Sequence, residues 1–363
     1  MGPDFVKEYT QMTRRHMLAA GAASALLSLR PGLAQPSGKP LRNMGGAPAG
    51  FPVRSRAGRG SGKPFDFVEY CHSLGFGVVE TRLPPTDPES IKAFRQKIEA
   101  YHMRVILDVG YPRDEAGVAA FDASVKAAKE CGAISLHAAM TARRYEEFDT
   151  FDAFKQSNER NQKSIALAEP VLRKYRVRLG IENHKGWRSA EQAAWLKRVS
   201  SEWVGVHFDF GNNVSLCEDP AETLHNLLPY TFACHIKDMA VEPYEDGFLL
   251  SEVPLGEGFL DIKGMVASLR NKDPNMPFDL EMITRDPLKI PVFTDKYWVT
   301  FDDTYSPLPA RDLARVLEIV HKNKPKSPLP RTTGMSPEAQ LNLEDDNILK
   351  SINYARQYLD SLS

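Results

Sequence analysis

Four side chains that could bind a metal ion stand at the ends of four apolar, strand-like stretches in the second half of the chain. They are Glu182 in RLGIENH, Asp209 in VGVHFDFGNN, His235 in TFACHIKDM and Glu281 in FDLEMI. Three carboxylates and one imidazole form a hard, oxygen-rich donor set. Such a set suits Mn²⁺, Mg²⁺ or Co²⁺, and it also admits Zn²⁺. The sequence therefore predicts a site for one divalent metal ion.

A metal ion held in this way suits proton transfer beside a carbonyl group. By chelating a carbonyl oxygen and the neighbouring hydroxyl, the ion lowers the pKa of the α-proton and stabilises the enediolate. One carboxylate can remove the proton, and a second can return it from the opposite face. Metal binding also keeps nearby carboxylates ionised at neutral pH.

The elements that must position these side chains alternate between strand and helix from about residue 47. The predicted strands are Ala49–Arg54, Gly77–Arg82, Met103–Val109, Ala133–His137, Arg178–His184, Val204–Phe210, Thr231–Lys237 and Phe278–Ile283. The predicted helices are Phe65–Leu74, Glu89–Tyr101, Gly117–Cys131, Glu159–Tyr175, Ser189–Val199, Pro220–Leu228, Asp261–Arg270, Pro309–Lys322 and Asp345–Leu359. Nearly continuous apolar strands separated by helices indicate a parallel sheet covered by helices. Eight such units predict an α/β fold, a (β/α)₈ barrel whose chemistry lies at the C-terminal ends of its strands.

Two stretches interrupt the alternation. Ala240–Gly258 is long for a loop after the seventh strand, and residues 285–343 are rich in proline and aromatic residues. Because both follow strands, we expect them to extend over the mouth of the barrel as a lid. The barrel domain is predicted to span residues 47–363, with residues 285–343 as a lid-like insertion.

The N-terminal part has the form of an export signal. Arg14 and Arg15 precede an apolar stretch from Leu18 to Leu29, and small residues follow. This order predicts a twin-arginine signal over residues 1–34, followed by a linker over residues 35–46. The expected partner during export is the twin-arginine translocase, and the expected location is the periplasm or the exterior. If these residues instead form a short basic helix, the protein is cytoplasmic.

The composition excludes several classes of partner. The chain has 363 residues and a formal net charge of −1, so no basic excess indicates nucleic-acid binding. No apolar stretch reaches the roughly 18 residues of a membrane span. The four cysteines are expected to be buried free thiols, with a Cys217–Cys234 bridge left open. The sequence leaves a homo-oligomer open as well.

Other polar residues at strand ends are candidates for substrate binding. Because side chains alternate along a strand, Glu182 and His184 share one face, as do His235 and Lys237. His184 and Lys237 are therefore expected at the mouth, in contact with a hydroxyl or an oxyanion of a carbohydrate substrate.

Further candidates come from neighbouring strand ends. His137 ends the fourth strand, and Asn212 follows the sixth. Asn212 is expected mainly to serve a tight turn and a helix start, with contact to a sugar as the minor alternative. Asp108 and Glu80 also end strands and are open candidates, whereas His207 is expected one layer deeper as a hydrogen-bonded barrel residue.

The pieces IENH, DFGN, HIKD, VPLGEGFLD (Val253–Asp261) and the glutamate-bearing last strand resemble a known family. It is the xylose isomerase-like superfamily of sugar phosphate isomerases and epimerases, and the resemblance covers about residues 47–363. It implies that Glu182, Asp209, His235 and Glu281 are the metal ligands. It also implies that Glu182 and Glu281 form the acid/base pair of a metal-dependent isomerase or epimerase.

Departures from the family pattern keep other activities open. Asn212 stands where the family's ketose 3-epimerases have a histidine, and Val241 stands where they have an arginine. The same metal site would also suit a lyase or dehydratase acting on a keto-sugar such as a 3-keto-glycoside. A further alternative is a sugar-binding protein without catalytic activity.

Overall fold

Eight parallel strands close into a barrel within the residues that the computed structural model describes, namely 39–59, 65–141, 143–325 and 328–359. These strands are β1 (Leu41–Gly46), β2 (Phe76–Arg82), β3 (Arg104–Asp108), β4 (Ser135–Ala138), β5 (Leu179–Glu182), β6 (Val204–Asp209), β7 (Thr231–Ile236) and β10 (Phe278–Leu280). Their order around the barrel follows the chain, and β10 closes it against β1. The predicted (β/α)₈ barrel is confirmed.

Helices follow the strands and cover the outside of the barrel. They are α1 (Pro52–Arg59), α2 (Phe67–Ser73), α3 (Pro88–Ala100), α4 (Val118–Glu130), α5 (Arg144–Glu147), α6 (Phe151–Tyr175), α7 (Ser189–Val199), α8 (Pro220–Leu227), α9 (Ile262–Lys272), α10 (Asp295–Trp298), α11 (Ala310–Lys322) and α12 (Pro337–Tyr358). No helix among the described residues is long and apolar enough to cross a membrane. All four cysteines are described, and each is buried and free, so no Cys217–Cys234 bridge forms.

The first barrel strand differs from the predicted one. Ala49–Arg54 is not a strand, because Pro48–Gly50 forms a 3₁₀ turn and α1 begins at Pro52. Proline pre-sets the backbone for a first helical turn, so the two prolines favour these helical starts. The strand is instead Leu41–Gly46, which lies in the predicted linker over residues 35–46. The predicted export signal over residues 1–34 lies outside the described residues.

Alternation along the strands separates two kinds of packing. Outward-facing residues such as Phe208 and Ile236 join the large core between barrel and helices. Val78, Ile106 and Ala233 form a separate apolar cluster. They precede Glu80, Asp108 and His235 by two residues and so share their face of each strand. The barrel interior therefore has an apolar floor with a polar layer above it.

The segment after β7 is a hairpin rather than a loop. Strands β8 (Asp238–Tyr244) and β9 (Gly247–Val253) pair antiparallel, and β11 (Leu288–Ile290) pairs with β9. The two interruptions predicted as separate lid segments thus share one three-stranded sheet. The remainder of the second interruption contains α10 and α11, and α12 begins eight residues earlier than the predicted Asp345.

Arg144 binds part of the 285–343 segment to the barrel. Its guanidinium is fully buried between the rings of Phe154 and Phe301, at 4.1 and 4.2 Å from their centroids. It donates hydrogen bonds to Thr300 Oγ1 at 3.0 Å and to Ser306 Oγ at 2.7 Å. These contacts fix residues 300–306 beside the barrel mouth.

Asp238 fixes the return of the chain from the hairpin to the barrel. Its carboxylate accepts hydrogen bonds from the backbone N–H groups of Met239, Gly256, Gly258 and Leu260. A β-carbon at position 258 would lie 2.2 Å from this carboxylate, so only glycine allows the approach. The motifs HIKD and LGEG are therefore one structural unit, which holds Lys237 in place.

The four hydrogen bonds that the Asp238 carboxylate accepts, together called the Asp238 cradle, are expected to stabilise the folded protein. Replacing Asp238 with Asn keeps the size but turns one acceptor oxygen into an N–H₂ donor that faces N–H groups. We expect a loss of about 2–4 kcal/mol in the free energy of unfolding, measured by denaturant titration. Asp246→Asn at the exposed hairpin tip is the control and should change the free energy by less than about 0.5 kcal/mol. Equal losses would show that the cradle contributes no special stability.

Candidate metal centre

The four predicted metal ligands converge at one end of the barrel. Donor atoms of Glu182, Asp209, His235 and Glu281 all lie within 4.8 Å of one another, and all four residues are buried. Parallel pairing explains this, because Asp209 is the registered partner of His235 on the next strand. Glu281 directly follows β10, whose Leu280 pairs with Ile236. Four adjacent strands thus bring four separate sequence motifs together.

Two donor atoms of this group are directed at the space between the side chains. Among the described residues His235 Nδ1 has no hydrogen-bond partner, and Asp209 Oδ2 has only the ammonium group of Lys237 beside it, at 2.6 Å. The other oxygen of Asp209 accepts hydrogen bonds from the N–H groups of Gly211 and Asn212, at 2.9 and 2.7 Å. Glu80 Oε2 lies 2.9 Å from His235 Nε2, which leaves Nδ1 directed at the cluster. Buried lone pairs fixed in this way fit a divalent cation.

Lys237 lies inside the cluster rather than on its rim. Its Nζ is 2.6 Å from Asp209 Oδ2 and also contacts Glu281. The side chain is 1% exposed, so it lies within the buried cluster and not on a solvated rim, and its contact with substrate stays a prediction. Burial disfavours the ammonium form, but the two carboxylates outweigh it and raise the pKa of Lys237. The amine therefore carries its proton and balances part of the carboxylate charge.

Both glutamates of the cluster are ionised at neutral pH. Burial alone would raise the pKa of Glu281, but Lys237 and His235 lower it to about 2. Burial likewise opposes ionisation of Glu182, and the neighbouring His184, His137 and His235 hold its pKa well below the usual range. Each glutamate is therefore available as a base.

The predicted substrate-binding residues surround Glu182. Asn212 is buried and donates a hydrogen bond to Glu182 Oε1 at 2.8 Å. His137 Nε2 lies 3.3 Å from Glu182 Oε2, and its Nδ1 lies 2.8 Å from Asp108 Oδ1. His184 lines a small cavity together with Glu182, and its Nδ1 lies 2.7 Å from the carbonyl oxygen of Thr141. All three lie close enough to the cluster to contact a molecule bound there.

Two buried ionisable residues near the site were not predicted. Lys185 donates to Asn212 Oδ1. Burial, with repulsion from Lys237, lowers the pKa of Lys185 to about 8. Asp279 precedes Glu281 by two residues, and burial and the charge of Glu80 raise its pKa well above the ordinary value. Alternation along β10 could have placed Asp279 inside the barrel, whereas Lys185 lies beyond the end of β5.

The fold and this cluster agree with a comparison against protein families. Residues 68–300 match the model of the xylose isomerase-like TIM barrel family. The match spans more than half of the chain, so the protein belongs to this family.

Individual relatives are distant. A curated 3-oxo-isoapionate decarboxylase from Pectobacterium atrosepticum is 28% identical over 109 residues, which is 30% of this chain and 40% of that protein. A sugar phosphate isomerase/epimerase structure from Parabacteroides distasonis superimposes with a TM-score of 0.53 at 12% identity, covering 92% of this chain and 100% of the other. A D-psicose 3-epimerase structure gives a TM-score of 0.50 at 14% identity, covering 81% and 92%. At these identities the structural matches establish the fold.

Proton competition predicts how metal affinity depends on pH. Burial, together with repulsion from Glu281 and Glu182, raises the pKa of Asp209 to about 6, although Lys237 opposes the shift. A cation binds the ionised carboxylate, so below pH 6 a proton must leave first. His235 must also lose a proton from Nδ1. Its pKa is raised well above the usual value, because Glu80 and Glu281 outweigh burial.

We therefore expect the affinity for Mn²⁺ to increase steadily from pH 5 to pH 8, and more steeply below pH 6. The gain should reach about tenfold per pH unit for each competing proton. Isothermal titration calorimetry at several pH values measures this, and circular dichroism at each pH separates it from unfolding. An affinity that is constant across the range would show that these side chains do not bind the ion.

Proposed function

We propose that this protein is a divalent-metal-dependent isomerase or epimerase of a carbohydrate that carries a carbonyl group. The proposal rests mainly on one observation, the pair of buried glutamates at the two ends of the four-residue cluster. Glu182 belongs to β5 and Glu281 follows β10, with β6 and β7 between them in the barrel. A substrate at the cluster would therefore have a base on each side.

Glu182, Glu281 and Lys237 can each take a separate part in proton transfer. A divalent ion, which we propose to be Mn²⁺, Mg²⁺ or Co²⁺, would hold the carbonyl and hydroxyl oxygens and stabilise the enediolate. One ionised glutamate removes the α-proton. For isomerisation the same carboxyl group can return that proton at the neighbouring carbon, whereas for epimerisation the other glutamate must first take up a proton from solvent, which it then delivers on the opposite face. Lys237 holds a proton at Nζ beside Glu281, where it can donate a hydrogen bond to a developing oxyanion.

Hydrogen bonds around Glu182 orient it for this role. Asn212 donates to one of its oxygens, and His137 lies beside the other. Asn183 ties the neighbouring strand in place by donating to the carbonyl oxygen of Asp209 and accepting from its N–H. Such fixed surroundings keep a base at one angle to the reacting carbon.

A lyase is the second candidate, and the similarity to 3-oxo-isoapionate decarboxylase favours it. Loss of carbon dioxide from a 3-oxo acid and elimination from a keto-sugar both pass through an enolate, which the same cluster could stabilise. The buried cations Lys185 and Lys237 would suit a carboxylate or a departing oxyanion. A sugar-binding protein without catalytic activity is a third candidate. It would use the metal ion to bind the sugar and would not require proton transfer by the glutamates.

We also propose export through the twin-arginine route, on the basis of Arg14 and Arg15. Replacing both with lysine should keep the protein in the cytoplasm, as measured by cell fractionation. Secretion of the unchanged amount would contradict the proposal.

Replacing Glu281 with Gln tests the catalytic proposal. The amide keeps a carbonyl oxygen that can reach the ion but removes the base. With Mn²⁺ bound, we expect the exchange of solvent deuterium into candidate keto-sugars to fall at least 100-fold, as general base catalysis typically contributes about 10²–10⁴-fold. Nuclear magnetic resonance of the recovered sugar measures the exchange.

Glu344→Gln is a matched control. Glu344 is also a buried glutamate, but it accepts hydrogen bonds from the N–H groups of Val53 and Arg54 on the outside of the barrel. It should retain the exchange rate of the wild type. If Glu281→Gln exchanges as fast as wild type while metal remains bound, the acid/base assignment is wrong.

Product analysis separates the two leading reactions. Incubating the metal-loaded protein with a 3-keto-glycoside should give an epimer or isomer that retains its aglycone if the first proposal holds. Release of free aglycone, detected by liquid chromatography, would establish the lyase instead. Sugar binding without deuterium exchange would favour the third candidate.

A further inference from the structure

A second cluster of metal-type side chains lies deeper in the barrel. Donor atoms of Glu80, His137, His207 and His235 lie within 4.8 Å of one another. The centroids of the three imidazole rings are 4.2, 4.6 and 5.0 Å apart. His207 precedes Asp209 by two residues on β6, so it lies about 6.6 Å further from the mouth. This cluster therefore adjoins the proposed catalytic site, with which it shares His235, and extends deeper into the barrel at His207.

The imidazole of His207 is fully buried, and no side chain within the described part of the chain makes a hydrogen bond to either of its ring nitrogens. The backbone of Cys234 interacts with the ring as a hydrogen-bond partner outside normal geometry. Its Nε2 lies 3.6 Å from Glu80 Oε2, and His137 Nδ1 lies 3.6 Å from Glu80 Oε1. Ligands of one tetrahedral zinc ion are roughly 3.3 Å apart, which is close to these separations. The groups thus face one another at distances that suit shared coordination better than hydrogen bonding.

A purely hydrogen-bonded arrangement explains only part of the cluster. Glu80 Oε2 lies 2.9 Å from His235 Nε2, so this carboxylate could serve to orient His235. His137 has Asp108 as a partner at 2.8 Å. The backbone of Cys234 accounts for at most one ring nitrogen of His207, and leaving the other buried polar atom unpaired costs about 1–3 kcal/mol. A metal ion would use the lone pair of that nitrogen.

We propose that Glu80, His137, His207 and His235 bind a second divalent ion. Three imidazoles and one carboxylate favour Zn²⁺, Co²⁺, Ni²⁺ or Fe²⁺ over Mg²⁺. His235 would join the two sites as a bridging imidazolate, since its Nδ1 lies 3.7 Å from Glu182 Oε1 and its Nε2 faces Glu80. Both ring nitrogens then release their protons to solvent as the two ions bind. The deeper ion holds His235 rigid beneath the catalytic ion and does not contact substrate.

Metal stoichiometry tests this proposal. The chelator-stripped protein is titrated with Co²⁺, and bound metal is counted by plasma mass spectrometry while the visible spectrum is recorded. We expect two Co²⁺ ions per chain, with intense visible bands from the nitrogen-rich site. His207→Gln should bind one Co²⁺, lose these bands and still bind Mn²⁺. Glu80→Gln should also bind only one Co²⁺.

Controls separate the two sites. His321→Gln on the exposed face of α11 should keep two ions per chain. Asp209→Asn should lose the Mn²⁺ site but keep the visible bands, so failure of the catalytic site is distinguishable from failure of the deeper one. One Co²⁺ per wild-type chain at saturation, or two in His207→Gln, would overturn the proposal. The wild-type count decides the question even where a variant fails to fold.

Discussion

Buried carboxylates along the barrel axis are the constraint on which the site depends. They are Glu80, Glu182, Asp209, Asp279 and Glu281. Removing ionised carboxylates from water is strongly unfavourable unless positive charge or a proton compensates. Lys237 supplies one charge between Asp209 and Glu281, and burial together with the charge of Glu80 raises the pKa of Asp279. Glu80 and Glu281 also raise the pKa of His235, so its proton compensates further negative charge until a divalent cation takes its place.

Rigid support of these charged groups comes from short connections after each strand. The N–H groups that follow Asp209 hold one of its oxygens, and Asn183 links β5 to β6. The Asp238 cradle does the same for the chain after Lys237. Each of these supports is made by residues adjacent to a site residue. The positions of the cluster residues therefore do not depend on the outer sheet of β8, β9 and β11.

Sequence reasoning succeeded where a regular pattern decides the structure. Apolar strands at regular spacing predicted the barrel, and the strand ends predicted which four residues would meet. It was wrong at residues 41–54, where LRNMGG lacks a strong apolar pattern and two prolines start helical turns. Position 45 of this strand requires glycine, because a β-carbon there would collide with Asp279. Such a contact between distant residues cannot be read from local composition.

The burial of Lys237 was harder to predict. Alternation correctly placed its side chain on the face of His235, but it does not show how deeply the neighbouring carboxylates enclose the amine. The surroundings of His207 were also unpredictable, because hydrogen bonding depends on side chains from several strands. The roles of the four cluster residues as ligands stay predictions, although their convergence is now a structural fact.

The choice between isomerase and lyase depends on which groups can supply a proton near the reacting carbons. Under the proposed function, an epimerase needs a carboxyl group on each face, and Glu182 and Glu281 would fill these places. A lyase needs a donor at the leaving group, and Lys237 beside Glu281 would be that donor. Asn212 cannot transfer a proton but holds Glu182 in a fixed orientation. The proposed first step is therefore common to both reactions, and the substrate's own leaving group would decide whether the second step is protonation or elimination.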